Sequence, residues 1–223
     1  ANPAVEKYCT IGIHEIDNDV NRRVNNAFIK RIKAYKKDNI IIIGVLANYY
    51  AAFLRNVGTY PFNISFYDKT WDTFKEYWMP FFKWAGERKD LYFIFKEKYG
   101  RKQYEHPCLK KAMKLIPKNQ YLQDDDLNMH DVISMSDIVV SSNVSSTILT
   151  SLCMGVPNVS LDVLSNGYNF KRYSEYICAE SGEELVSNIE YILANGLPEE
   201  VFKNIKKDNS DIYGSVMESS TRI

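Results

Sequence analysis

Apolar residues along this chain fall into two patterns, and the two alternate. Some form short unbroken runs, others recur at spacings of three and four. The run DNIIIIGVL from Asp38 is continuous and β-branched, as expected of a strand buried on both faces of a parallel sheet. DLYFIFK, NQYLQ, IVV at Ile138 to Val140 and VPNVSL read as further strands. Between them lie helical stretches. TWDTFKEYWMPFFKWAGER sets Trp71, Phe74, Trp78, Phe81, Phe82 and Ala85 on one helical face, with Thr70 as N-cap and Pro80 as a kink or break. An aromatic stripe at this spacing is read as core. PCLKKAMKLI starts a helix at Pro107, and DDDLNMHDVISMS is a helix opened by acids, which the positive end of the helix dipole favours. SGEELVSNIEYILANG carries a capping box, Ser181 with Glu184, and stops at Gly196; it is expected to close the domain. Strand and helix alternating in this way predict an α/β protein, a parallel sheet with helices on both faces and Ile138 to Val140 central within it.

The edges of this plan are less regular. Val20, Val24, Phe28, Ile32 and Tyr35 recur at helical spacing after a short apolar piece, YCTIGI, so residues 1–37 read as a lead-in segment and helix, the tail of an N-terminal domain or a linker. Residues 38–223 form the main domain. From Ala47 to Asp68 an aromatic-rich stretch gives only helix and loop of undefined limits.

Composition narrows the function classes. Lys and Arg total 28 and Asp and Glu total 28, so bulk charge draws the chain neither to nucleic acid nor to an anionic membrane, and any partner is recognised locally. No apolar run approaches the roughly 20 residues of a spanning helix, and a soluble, cytoplasmic protein is expected. Cys9, Cys108, Cys153 and Cys178 lack metal-ligand spacing and read as reduced thiols. The chain has no glycine-rich dinucleotide fingerprint, no P-loop and no nucleophile elbow.

One junction carries chemistry. In SSNVSSTILTSLCMG, Ser145, Ser146 and Thr147 stand where a strand hands over to a helix, so unpaired backbone N–H groups, the positive helix end and three short hydroxyls converge. That group suits a phosphate or diphosphate. Taken alone it reads as an ordinary cap, because Ser and Thr are favoured there in any helix.

The longer order DVISMSDIVVSSNVSSTILTSLCMGVPNVSLD resembles the donor-binding half of GT-B glycosyltransferases, especially the bacterial surface-carbohydrate and CDP-glycerol glycerophosphotransferase-like branches. A helix ends in SD, a strand carries IVVS, SST opens the next helix, and GVP precedes a strand ending in LD. Upstream, DLYFIFKEKYG is similar to that branch's strand and lysine-bearing loop; downstream, EELVSNIEYIL is similar to its closing helix. The resemblance runs from about Asp38 to Gly196. It implies a Rossmann-like fold, the GT-B C-terminal half, and transfer of a sugar from a nucleotide-activated donor, UDP-, CDP- or GDP-linked, to a carbohydrate acceptor. It implies no separate cofactor or metal. It places Ser145, Ser146 and Thr147 on the diphosphate, Thr150 near the ribose, Lys96 and Lys98 near the phosphates or base, and Asn128 and Met129 near the base. It names no catalytic base, and it implies an acceptor-binding N-terminal domain or partner chain, free in the cytoplasm or peripheral at the inner membrane face.

Two departures stand out. Where many members have Glu then Ala three residues after the Thr, this chain has Thr150 and Ser151; where the lysine loop continues with Pro and then His or Lys, it has Lys96, Glu97 and Lys98. A hydroxyl holds a ribose more weakly than a carboxylate does. A sugar-nucleotide epimerase of the same fold and a non-catalytic nucleotide- or protein-binding module are therefore alternatives. Asp124 to Asp126 read as solvent-exposed caps, and His130 as either a cleft or a structural residue.

Overall fold

The computed structural model describes residues 30, 32, 34–35, 40–47, 74–96, 107–124, 127–142, 146–162 and 168–213. Ser145, Lys98, Cys9, Thr70, Trp71, Asp125, Asp126, the YCTIGI piece, most of the lead-in helix and the stretch from residue 48 to Asp68 lie outside them.

The expected runs form strands: β1 Ile41–Leu46, β2 Leu91–Phe95, β3 Tyr121–Gln123, β4 Ile138–Ser142 and β5 Asn158–Leu161, joined by a two-residue β6, Cys178–Ala179. They make one six-stranded sheet in the order β3-β2-β1-β4-β5-β6, and every pairing is parallel. Ile138 to Val140 are inside it, wholly buried, between β1 and β5. This order reverses once. The chain builds outward from β1 to β3, crosses back, and builds outward again from β4 to β6, so β1 and β4 flank the switch point where ligands bind in doubly wound sheets.

The alternation of side chains splits the core in two. Ile43, Val45, Leu91, Phe93, Phe95, Ile138 and Val140 join the larger cluster, while Ile42, Tyr92 and Ile94, their neighbours in sequence, join a second one with Val132 and Leu127. On the first face, α1 (Met79–Glu87) lays the aromatic stripe against β2: Phe81 meets Phe93 edge-on at 6.0 Å and Phe82 stacks on Phe95 at 5.8 Å. Helical backbone bonding continues through Trp78, whose N–H donates to Phe74 O and whose carbonyl accepts from Phe82 N. Pro80 sits at the start of α1, where its missing N–H costs nothing, and the break expected there is the turn at Trp78.

After β2, α2 (Pro107–Ala112) and a 3₁₀ turn at Met113–Leu115 lead to β3. Next comes α3, Met129–Met135. It corrects one expectation: Asp124 is bonded through its N–H to Phe95 O at the end of β3, and the cap is Asn128, whose side chain accepts from His130 N. The acids stand too far upstream to cap, and an amide oxygen does the same work. Then follow α4 (Ser146–Cys153), α5 (Tyr168–Lys171) and α6 (Gly182–Asn195), and the Ser181 half of the capping box is present, with Glu184 N donating to Ser181 Oγ at 3.1 Å, while Glu184 Oε2 accepts at 2.7 Å from Glu180 N, one residue before the cap. Gly196 takes φ 73° and donates to Ile192 O, a left-handed stop that favours glycine. α6 does not close the domain. A further helix, α7 (Glu199–Tyr213), packs Val201 and Ile205 into the larger core and lies against α4. Its signal was in the sequence, acids after Pro198 followed by apolar residues four apart.

Of the lead-in, Ile32 is fully buried in the second cluster and Tyr35 stacks on Tyr92 at 4.3 Å. Cys108, Cys153 and Cys178 are buried and form no disulfide, and burial pushes the Cys153 thiol up to about 11.

Gly44 explains how α3 is seated. A Cβ there would lie 2.4 Å from Ser136 Oγ and 3.1 Å from Val132 Cγ1, and Ser136 Oγ is held by donating to Val132 O. The strand therefore needs glycine at this residue so that the end of α3 can close on β1. Gly44→Ala is expected to lower stability by about 1–3 kcal/mol, the usual cost of overpacking. Adding Ser136→Gly, which removes the blocking hydroxymethyl group, should recover part of that loss. Equal denaturation midpoints for wild type and Gly44→Ala would show that this contact is not tight.

Candidate functional site at the carboxyl edge of the sheet

The residues singled out in the sequence sit on loops and helix starts beyond the carboxyl ends of the strands, because each strand hands over to a helix at that edge. Lys96 directly follows β2, and its N–H donates to Val45 O, so its backbone is fixed beside the last residues of β1. Leu46 pairs with Ser141 on the other side. Lys96 and the end of β4 are thus two strand spacings apart, about 10 Å, a gap that a lysine side chain and a diphosphate can bridge.

Ser146 opens α4, four residues beyond the last residue of β4, and is exposed. Thr147 is largely covered, 9% exposed, and its hydroxyl donates to Met129 Sδ at 3.8 Å. That contact joins the start of α4 to the start of α3, so the two helix starts form one wall at the carboxyl edge of the sheet. A thioether is a weak acceptor, and the Thr147 hydroxyl gives it up at little cost to a charged one. Thr150 lies one turn further along α4 and is 3% exposed, so the structure presents Ser146 to solvent and covers Thr150.

On the same wall, next to Met129 at the head of α3, Asn128 is exposed yet its amide oxygen is occupied. It accepts from His130 N at 2.8 Å and lies 3.1 Å from His130 Nδ1. Since a backbone N–H can only donate, the oxygen faces both groups, and Nδ1 is the nitrogen that carries the ring proton. His130 is thereby a buried, oriented side chain. Beside it Asp131 is also buried, and desolvation raises its carboxyl above the ordinary range. Among the described residues no three His, Cys, Asp or Glu side chains group to hold a metal ion.

Sequence reading missed a polar pair beneath this wall. Ser141 and Asn158 are both fully buried, and Ser141 Oγ donates to Asn158 Oδ1 at 2.9 Å. The signal was the placing of polar residues at 141, 158 and 160, which strand register brings to one face.

No family model and no curated protein matches this chain. Solved structures do. A UDP-N-acetylglucosamine 2-epimerase superposes with a TM-score of 0.53 at 11% identity, over 93% of this chain and 46% of that one. The UDP-GlcNAc 2-epimerase of Neisseria meningitidis, bound to UDP-GlcNAc, gives 0.52 at 11% over 87% and 47%. A spinosyn rhamnosyltransferase gives 0.50 at 11% over 82% and 44%. The fold is GT-B-like. Identities this low show the architecture alone, and the chain spans less than half the length of each of these proteins. Within a GT-B-like sheet, the β4–α4 junction is the loop at the switch point.

Proposed function

We propose that this chain is the donor-binding half of a glycosyltransferase that takes a sugar from a nucleotide-activated donor in polysaccharide or surface-carbohydrate biosynthesis, of the CDP-glycerol glycerophosphotransferase-like branch. The observation that carries the reading is the opening of α4 by an exposed Ser146, with Thr147 behind it, at the switch point of a 3-2-1-4-5-6 sheet. Unpaired N–H groups and hydroxyls at that point satisfy phosphate oxygens and offset charge developing on a diphosphate leaving group. Ser145, Ser146 and Thr147 hold the diphosphate, Lys96 and Lys98 add positive charge, Thr150 lies toward the ribose, and Asn128 and Met129 flank the base. The domain comprises residues 38–223, with residues 1–37 as lead-in. An acceptor-binding domain or partner chain completes the site, since the GT-B-like structures matched are about twice as long. The protein works in the cytoplasm or at the inner membrane face.

A sugar-nucleotide epimerase is the second reading, favoured by the likeness to two UDP-GlcNAc 2-epimerases. Thr150 in place of a carboxylate favours a third, a binding module without transferase activity. Calorimetric titration of the folded chain with UDP, CDP and GDP tests all three at their common step. Binding of at least one nucleotide below millimolar concentration is expected. No binding of any would sink the phosphate-cradle reading and leave the hydroxyls as a helix cap.

A further inference from the structure

One contact at the candidate site pairs a hydroxyl with a thioether, and it sets Met129 apart. Met113 is part of the larger apolar cluster, Met79 and Met154 pack against it, and Met135 packs against the second. Methionine in those places does its usual work of filling irregular gaps in a core. Among the described residues, Met129 is the methionine that belongs to neither cluster. It is half-buried at the first position of α3, and its sulfur accepts from Thr147 Oγ1 at 3.8 Å. The thioether thus meets a hydroxyl, on a side chain partly open to water. The thiols that would compete for an oxidant are poorly placed. Cys108, Cys153 and Cys178 are buried, which pushes them up to about 11, 11 and 12, and the protonated thiol is the unreactive form.

We propose that Met129 is a modification site for peroxide, and that its sulfoxide captures the Thr147 hydroxyl and so withdraws it from a phosphate ligand. The inference rests on the diphosphate reading of this site and adds a means of regulating it. In the step itself a sulfur lone pair attacks one peroxide oxygen, an S–O bond forms as the O–O bond breaks, and water leaves. Sulfur loses two electrons and the peroxide gains them. Thr147 then faces a better acceptor. A thioether sulfur is a weak one, whereas the sulfoxide oxygen ends a strongly polar bond, and the flexible side chain can turn it to the same donor. Outside the apolar clusters the added polarity costs little, while the same change at Met113 would disrupt packing. A methionine sulfoxide reductase and a dithiol reverse the change, so donor binding follows the peroxide level.

The test treats the full chain with hydrogen peroxide, locates the sulfoxide by peptide mass spectrometry, and titrates UDP, CDP and GDP by calorimetry before and after. Met129 should be oxidised under conditions that leave Met113 intact. Binding of the nucleotide that the untreated chain takes should then weaken about tenfold, the worth of one hydroxyl bond to a charged group. Methionine sulfoxide reductases A and B with a dithiol, one enzyme per epimer, should restore it. Met129→Leu, whatever affinity it starts from, should keep that affinity through peroxide. Thermal unfolding gives a readout that needs no nucleotide. If the sulfoxide holds Thr147, oxidation should shift the midpoint of wild type upward relative to its shift in the Thr147→Val variant, a coupling between two groups in contact. Equal shifts in the two proteins overturn the proposal, as does a Met129 left intact while Met113 is oxidised. Unchanged nucleotide affinity in a chain that carries the Met129 sulfoxide also overturns it, as does an equal loss in Met129→Leu. An untreated chain that binds no nucleotide sinks the diphosphate reading instead, and the midpoints then decide whether the sulfoxide captures Thr147.

Discussion

Replacing Ser146 by Ala and Thr147 by Val in one chain is expected to weaken nucleoside diphosphate binding by more than tenfold while the protein stays folded. The pair supplies two hydroxyl donors at the start of α4, and each hydrogen bond to a charged group is worth on the order of 1.5–3 kcal/mol. The substitutions leave backbone N–H groups and the helix field in place, so residual binding reports those alone. In the unliganded protein the loss is small. Among the described residues Thr147 gives up its bond to Met129 Sδ, Val matches Thr in shape, and any capping contribution costs about 1 kcal/mol of stability. Calorimetry with UDP, CDP and GDP on both proteins, paired with thermal unfolding, separates the two effects. A double variant that binds as tightly as wild type means the hydroxyls are not ligand contacts.

Gly86→Ala is expected to be among the most destabilising single-methyl additions in the molecule. In an open helix this change stabilises, because Ala is favoured over Gly by about 1 kcal/mol. Here a Cβ would lie 2.4 Å from the Leu115 carbonyl oxygen and 3.1 Å from its carbon. The obstacle is backbone and cannot rotate away, and Ala85 beside it is wholly buried against the sheet. Either α1 or the 3₁₀ turn must move, at a cost of about 1–3 kcal/mol or more that exceeds the propensity gain. Denaturant unfolding should show a lower midpoint at unchanged slope. A midpoint equal to or above that of wild type would show that the turn yields freely.

The candidate site was legible only in part. SST at a strand-to-helix junction could be read from residue types, since the turn chemistry is local and the hydroxyls are adjacent in sequence. That Met129 meets Thr147 could not, since 18 residues separate them and the contact exists only after β3 and β4 are placed on opposite sides of β1 and β2. Asn128 was expected beside a ligand; its position at the head of α3 also makes it the cap and the partner of His130, roles that depend on where that helix begins. Helix starts are fixed by backbone geometry, and three acids upstream were a misleading signal.

At the level of the fold, the sequence alone determined the class and the inner strands. Continuous β-branched runs cannot be solvated on either face, so DNIIIIGVL, LYFIF and IVV had to be internal in a parallel sheet, and the aromatic stripe of α1 had to cover them. Periodicity reports burial directly, which is why these elements were readable. Only the tertiary structure decided the order of the strands, the switch point between β1 and β4, the two-residue β6, and the packing of α7 on α4. It also decided why Gly44 and Gly86 are glycines, a matter of what lies across the interface, 92 and 29 residues away in the chain at Ser136 and Leu115. Local pattern fixes how a segment is buried, while the identity of what buries it is a property of distant contacts.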